Sequence, residues 1–280
     1  MAISCPAGGG RSVYAVIDLV DIMTHIALRS NKLFSEKGSA ISKEDFVNAV
    51  QLRTTQVREI WSFAGENKSL HVYKPTETIA TLLEHMSKGI HRAIVRGEPL
   101  KVLSQYDVIK YIYFNRHLLP EKMLKDTAKN LGLVSRSHTV VHHTAVAIQD
   151  VVTVNTSDTA LDAFRLLVKE GVAAAPVLDG NGAIVSTISA SDLRGLTVDC
   201  IEYNIFLPIS EFFKKVASES TRTHQIIAPL VFSESVTLAS LLEIIVTAHV
   251  HRVWIVDAGG KPRGCVSLTD LCQFFATKKI

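Results

Sequence analysis

A chain of 280 residues with 47% hydrophobic side chains carries enough apolar surface for one large core or several small ones, which sets intrinsic disorder aside. Its formal charge of +3 is spread over 30 basic and 27 acidic residues without a cationic run, which argues against a polyelectrolyte shaped for nucleic acid or an anionic membrane face. The longest apolar stretches, residues 238–250 and 172–178, are interrupted by Glu243, His249 and Pro176 and fall short of a membrane span.

In chain order, residues 1–11 lack the basic-then-apolar order of a secretory signal. A short β-former run at 13–17 leads into an apolar helix at 19–29, and a capping box of Ser42 with Asp45 opens a helix expected to run to Ile60. Thr78 then caps a helix bearing Leu82 and Leu83, followed by a strand at 93–95 and a turn at Gly97, Glu98 and Pro99. The same order recurs with Thr159 as cap and a hairpin turn at 179–182. It recurs again with Thr237 capping Leu238, Leu241, Leu242 and Ile245, before the dense β-former run 253–256. The repeated unit is strand, helix, strand, strand, helix, an α/β fold used three times in full and once truncated. Its boundaries are 11–55 for the partial first copy with a linker helix, 56–118 for copy two, 138–200 for copy three and 224–280 for copy four. Residues 119–137 and 201–223 connect them, with helices expected at 121–131 and 207–217.

The last strand-helix junction of each copy carries Ser-x-x-Asp: Ser104 with Asp107, Ser189 with Asp192, and Ser267 with Asp270, with Asp18 and Asp21 as a fainter version. These pairs recur about every 80 residues, too regular for chance and too long for a solenoid repeat. A carboxylate at a helix N-terminus is most often a cap or a dipole partner. Repeated in every copy, it also suits accepting hydrogen bonds from the paired hydroxyls of a ribose. Ser191 and Thr269, immediately before their aspartates, add hydroxyls at the same terminus, where anions are favoured. His91 with Arg92 and His251 with Arg252 fall where the first helix gives way to the second strand, whereas copy three has Ala173 and Ala174 there. Such a pair is either a solvated helix end or a phosphate clamp. If the latter, the sites of the copies are unequal.

Other clusters carry less. His138, His142 and His143 have no carboxylate or Cys spaced with them for a metal, Gly8 to Gly10 lacks the Lys of a phosphate loop, and no Ser, His and Asp set has a supporting motif. Cys5, Cys200, Cys265 and Cys272 show no paired metal spacing, which fits reduced thiols in cytosol or nucleus.

The segments 87–93, 191–195, 249–257 and 266–270 together resemble cystathionine-β-synthase-type (CBS) repeats, four of them paired as two Bateman modules. The pattern is similar to the gamma subunits of SNF1-related and AMP-activated protein kinases, and especially to plant gamma-like members. The resemblance implies a non-catalytic energy sensor, with no required cofactor, that binds AMP, ADP or ATP and docks onto a kinase catalytic (alpha) subunit and a scaffolding beta subunit. By the same resemblance Asp107, Asp192, Asp270 and, less completely, Asp21 hold ribose. Ser104, Ser189, Ser191, Ser267 and Thr269 assist, and His91, Arg92, His251 and Arg252 take phosphates. The truncated first copy and the missing clamp of copy three leave a second reading open: a scaffold of the same fold whose clefts no longer regulate.

Overall fold

Alternation of short β-former runs with helix-period runs produces three three-stranded sheets and one hairpin in the computed structural model, which describes residues 2–7, 11–38, 41–60, 71–134, 151–219 and 228–278. The hairpin pairs β1 (Ala2–Ala7) with β2 (Arg11–Val16) antiparallel, and α1 (Leu19–Lys37) follows. Copy one is therefore fuller than the sequence suggests. Its helix continues past Arg29 because Ser30 and Leu33 keep its inner face buried, and it ends at Gly38, whose φ of 72° a side chain would resist. Ser42 and Asp45 form the expected reciprocal cap of α2 (Lys43–Val50). That helix stops at Gln51, where φ is 51°, so the run towards Ile60 resumes only as α3 (Val57–Ile60).

Copy two comprises β3 (Val72–Tyr73), α4 (Ile79–Met86), β4 (Arg92–Val95), β5 (Lys101–Ser104) and α5 (Gln105–Phe114). Strand β4 is central, parallel to β3 and antiparallel to β5. The connector helix α6 (Glu121–Lys125) is shorter than expected. Beyond it the backbone pairs with the start of copy four: the Ala128 amide donates to the Val236 carbonyl at 2.8 Å and Leu238 donates to Asp126 at 3.0 Å.

Copy three comprises β6 (Val154–Asn155), α7 (Ala160–Glu170), β7 (Ala174–Leu178) and β8 (Ile184–Ser189). Its closing helix is reduced to one 3₁₀ turn, Ala190–Leu193, because Gly195 at φ 80° redirects the chain. A new helix, α8 (Val198–Asn204), starts from a Thr197 cap, and α9 (Ile209–Glu219) spans most of the expected connector helix. Copy four is complete: β9 (Val231–Phe232), α10 (Leu238–Thr247), β10 (Arg252–Val256), β11 (Pro262–Ser267) and α11 (Leu268–Lys278).

Copies that share a core are not neighbours in sequence. Copies one and three lie in one compact unit, copies two and four in another. In the first, α1 packs on α7 and α2, and Phe164 meets Phe212 edge to face at 6.1 Å. In the second, α11 packs on α4 and α5 while α10 packs on α5. Their buried faces supply Met86, Ile109, Leu242, Ile245, Leu271 and Phe275 to one core, each worth about 1.5–3 kcal/mol of hydrophobic transfer. Among the described residues no helix is long and apolar enough to cross a membrane.

Candidate functional site

Where β11 turns into α11, the Ser267 amide and Oγ donate to Asp270 Oδ2 at 2.7 and 2.6 Å, and the Asp270 amide donates back to Ser267 Oγ at 3.3 Å. This is a capping box. It satisfies orphan amides of the helix and at the same time immobilises the carboxylate. The box recurs in every copy. Ser104 donates to Asp107 Oδ2 at 2.8 Å from its amide and 2.7 Å from Oγ, and Ser189 does so to Asp192 Oδ2 at 2.6 and 3.3 Å. In copy one the Asp18 amide donates to Asp21 Oδ2 at 3.1 Å, while Asp18 Oδ1 accepts from the Val20 and Asp21 amides.

The four carboxylates differ in their surroundings. Asp21 and Asp270 are 2% and 7% exposed, Asp192 is half-buried and Asp107 is open to solvent. Burial pushes Asp192 up to about 6 against the lowering pull of the Ser189 amide and hydroxyl, so its charge is no longer secure near neutrality.

Register explains the placement of the His-Arg pairs. Arg252 lies opposite Ser267 across β10 and β11, Arg92 opposite Ser104, and Ala174 opposite Ser189. The preceding residue receives the first helix amide through its carbonyl: Leu268 donates to His251 at 3.0 Å, Gln105 to His91 at 3.0 Å, and Ala190 to Ala173 at 3.2 Å. Arg252 is half-buried on β10, and burial lowers its pKa while the Asp270 carboxylate opposes that shift. Asp270 and Arg252 thus form a carboxylate and a guanidinium in one half-enclosed place. His251 is exposed, and His91 and Arg92 are half-buried.

Thr269, expected to assist a ligand, is also bonded within the protein. Its hydroxyl donates to Gln105 Oε1 at 3.2 Å, and Gln105 Nε2 lies 3.1 Å from the same hydroxyl while donating to the Met86 carbonyl at 3.1 Å. The next residue, Tyr106, donates from its hydroxyl to the Val246 carbonyl at 2.9 Å and stands 3.0 Å from His249 Nδ1, with the rings stacked at 5.2 Å. With the phenol proton committed to Val246, Nδ1 of His249 is the donor. His249 has φ 53° at the place where copies two and three have Gly89 and Gly171, also at positive φ. None of Gln105, Tyr106 and His249 stood out in sequence. Two signals were there: a Gln where copies three and four have Ala190 and Leu268, and a His replacing a repeated Gly.

Two further clusters lie outside the described residues: His138, His142 and His143, and Gly8 to Gly10. Among the described residues no group of three or more His, Cys, Asp or Glu is arranged to hold a metal. Cys200, Cys265 and Cys272 are buried, and burial with Asp270 nearby pushes the Cys272 thiol up to about 12, far from a thiolate nucleophile.

Repeated strand-helix-hairpin-helix units with a carboxylate fixed at the last junction define a class, and CBS domain matches cover residues 57–113, 144–198 and 225–277, more than half of the chain. The chain belongs to the CBS domain family. It is similar over 95% of its length, at 27% identity, to the SNF1-related protein kinase regulatory subunit gamma-like PV42b of Arabidopsis thaliana, covering 76% of that protein. It is 22% identical to the 5'-AMP-activated protein kinase subunit gamma of Kluyveromyces lactis, over 86% of this chain and 75% of that one. Protein MJ1225 from Methanocaldococcus jannaschii shares the fold, with a TM-score of 0.61 at 18% identity over 96% of this chain and 85% of its own.

Proposed function

We propose that this chain is a non-catalytic, gamma-like regulatory subunit of an SNF1-related kinase complex in the cytosol or nucleus, binding an adenine nucleotide to report energy status. The observation that carries the reading is the Asp270 carboxylate, fixed by Ser267 and near Arg252. A pinned carboxylate suits the two hydroxyls of a ribose, and a guanidinium suits phosphate. Similarity to the Arabidopsis and Kluyveromyces subunits supports kinase catalytic and beta subunits as partners. Regulation follows only if the ligand prefers one arrangement of the protein over another.

A scaffold that holds kinase subunits without sensing is the second reading. What favours it is that Asp270 is already 7% exposed and Thr269 already engaged by Gln105, which leaves a ligand fewer contacts to gain. Isothermal titration with AMP, ADP and ATP separates the two. The sensor reading expects saturable binding, weakened about tenfold or more by Asp270→Asn, and more weakened by Arg252→Ala for AMP than for adenosine. A well-folded chain that binds none of the three, yet still captures kinase subunits, establishes the scaffold instead.

A further inference from the structure

The Asp270 turn is held from copy two as well as by its own cap, and we propose that Gln105 is a positioning residue for ligand binding at that turn. The ligand in this statement rests on the nucleotide reading above; the positioning does not. Gln105 is 4% exposed at a place where the corresponding residues of copies three and four are apolar. A primary amide buried there is costly unless bonded, and its groups meet the Met86 carbonyl and the Thr269 hydroxyl. Thr269 is the residue before Asp270. Anchoring its side chain restrains the stretch of backbone that carries the carboxylate.

The anchor is 164 residues away in sequence and is bonded neighbour to the Ser104 and Asp107 box. Gln105 therefore joins the two carboxylate turns of this unit through a single amide. The adjoining Tyr106 fixes the same segment to the end of α10 through Val246 and His249, so residues 105 and 106 are both tied to copy four.

The test is a cycle of Gln105→Leu and Thr269→Val, with Thr269→Ser as the variant that keeps the hydroxyl. AMP affinity is measured by titration, and amide hydrogen exchange at Leu268, Thr269 and Asp270 is followed without nucleotide. Each single variant should weaken AMP binding by about fivefold, the double variant no further than either single, and Thr269→Ser should hold wild-type affinity. Exchange at the three amides should quicken in Gln105→Leu while the amides of α7, in the other unit, keep their protection. Additive losses would show Thr269 acting on the ligand directly and overturn the inference. So would unchanged exchange at the Asp270 turn. A wild-type chain that binds no AMP removes the nucleotide reading, and the exchange result then decides the positioning role by itself.

Discussion

The Asp107 and Asp270 turns close the same box with nearly the same distances, yet one carboxylate stands in water and the other is almost wholly enclosed beside Arg252. Local sequence determines the box; what packs over it determines its chemistry. An exposed cap contributes a helix terminus and little else, since its charge is screened by solvent. An enclosed one is coupled to a cation, to a core helix and, through Thr269, to the partner copy. The comparison predicts its own largest test. Asp270→Ala should cost about 3 kcal/mol in urea unfolding, because it removes the acceptor for two Ser267 donors and the nearby counter-charge of Arg252. Asp107→Ala should cost about 1 kcal/mol, the ordinary value of a lost cap contact. Equal losses would mean that enclosure adds nothing.

Copy three sharpens the contrast from a different side. There the box survives while the cation and the helix behind it are missing, and burial raises the Asp192 pKa from its usual carboxylate range to about 6. The folded form therefore holds its proton more tightly than the unfolded chain does. Stability contributed by this group is present at low pH and declines as pH rises from about 4 to about 6. Asp192→Asn should remove that decline and stabilise the protein at pH 7.5 by on the order of 1 kcal/mol, with no gain at pH 4. A variant less stable at both pH values would place the cap contact above the buried charge in importance.

How much of this was legible in the sequence depended on range. The four boxes were readable, Asp18 with Asp21 included, because donor and acceptor are three residues apart. Thr78, Thr159 and Thr237 were readable as caps for the same reason, and each accepts the amide three residues on. The short closing turn of copy three was missed although Gly195 was in plain view, since one Gly marks a break only when its φ is positive. Gln105 leaves only a faint signal, a Gln where copies three and four have Ala190 and Leu268, and Tyr106 leaves none. Their partners lie 164 and 140 residues away, and nothing local distinguishes a buried, satisfied Gln from an exposed one. The same limit hides the bond from Thr269 to Gln105.

His249 measures how strongly the two copies are joined. At φ 53° it bears a left-handed strain that Gly89 and Gly171 do not, and its ring is held by Tyr106. His249→Gly relieves about 1 kcal/mol of backbone strain but forfeits a contact of similar size. The net change in the wild-type background should therefore be small. In a Tyr106→Ala background the contact is already gone, and the same substitution should stabilise by about 1 kcal/mol. Equal effects in the two backgrounds would mean that the Tyr106 contact does not offset the strain.

The smallest expected effect belongs to the opening of copy two. His71 stacks on His85 at 4.3 Å with the planes 9° apart, and the Tyr73 hydroxyl lies 2.6 Å from His85 Nδ1. Burial lowers the His71 pKa, and the charges of His85 and Lys88 lower it further, while burial and then Glu77 raise that of Tyr73 to about 12. The neutral His71 ring is thus the form the fold prefers, so its contribution is present above the ordinary value near 6.5 and is lost as pH falls below it. Because the His71 ring is only half-buried, the loss between pH 7.5 and 5.5 should be only a few tenths of a kcal/mol. His71→Asn should flatten that part of the stability profile while leaving the Asp192 limb in place. If instead the whole slope below pH 6.5 persisted in His71→Asn, the stacked pair would be a packing contact whose protonation the fold tolerates.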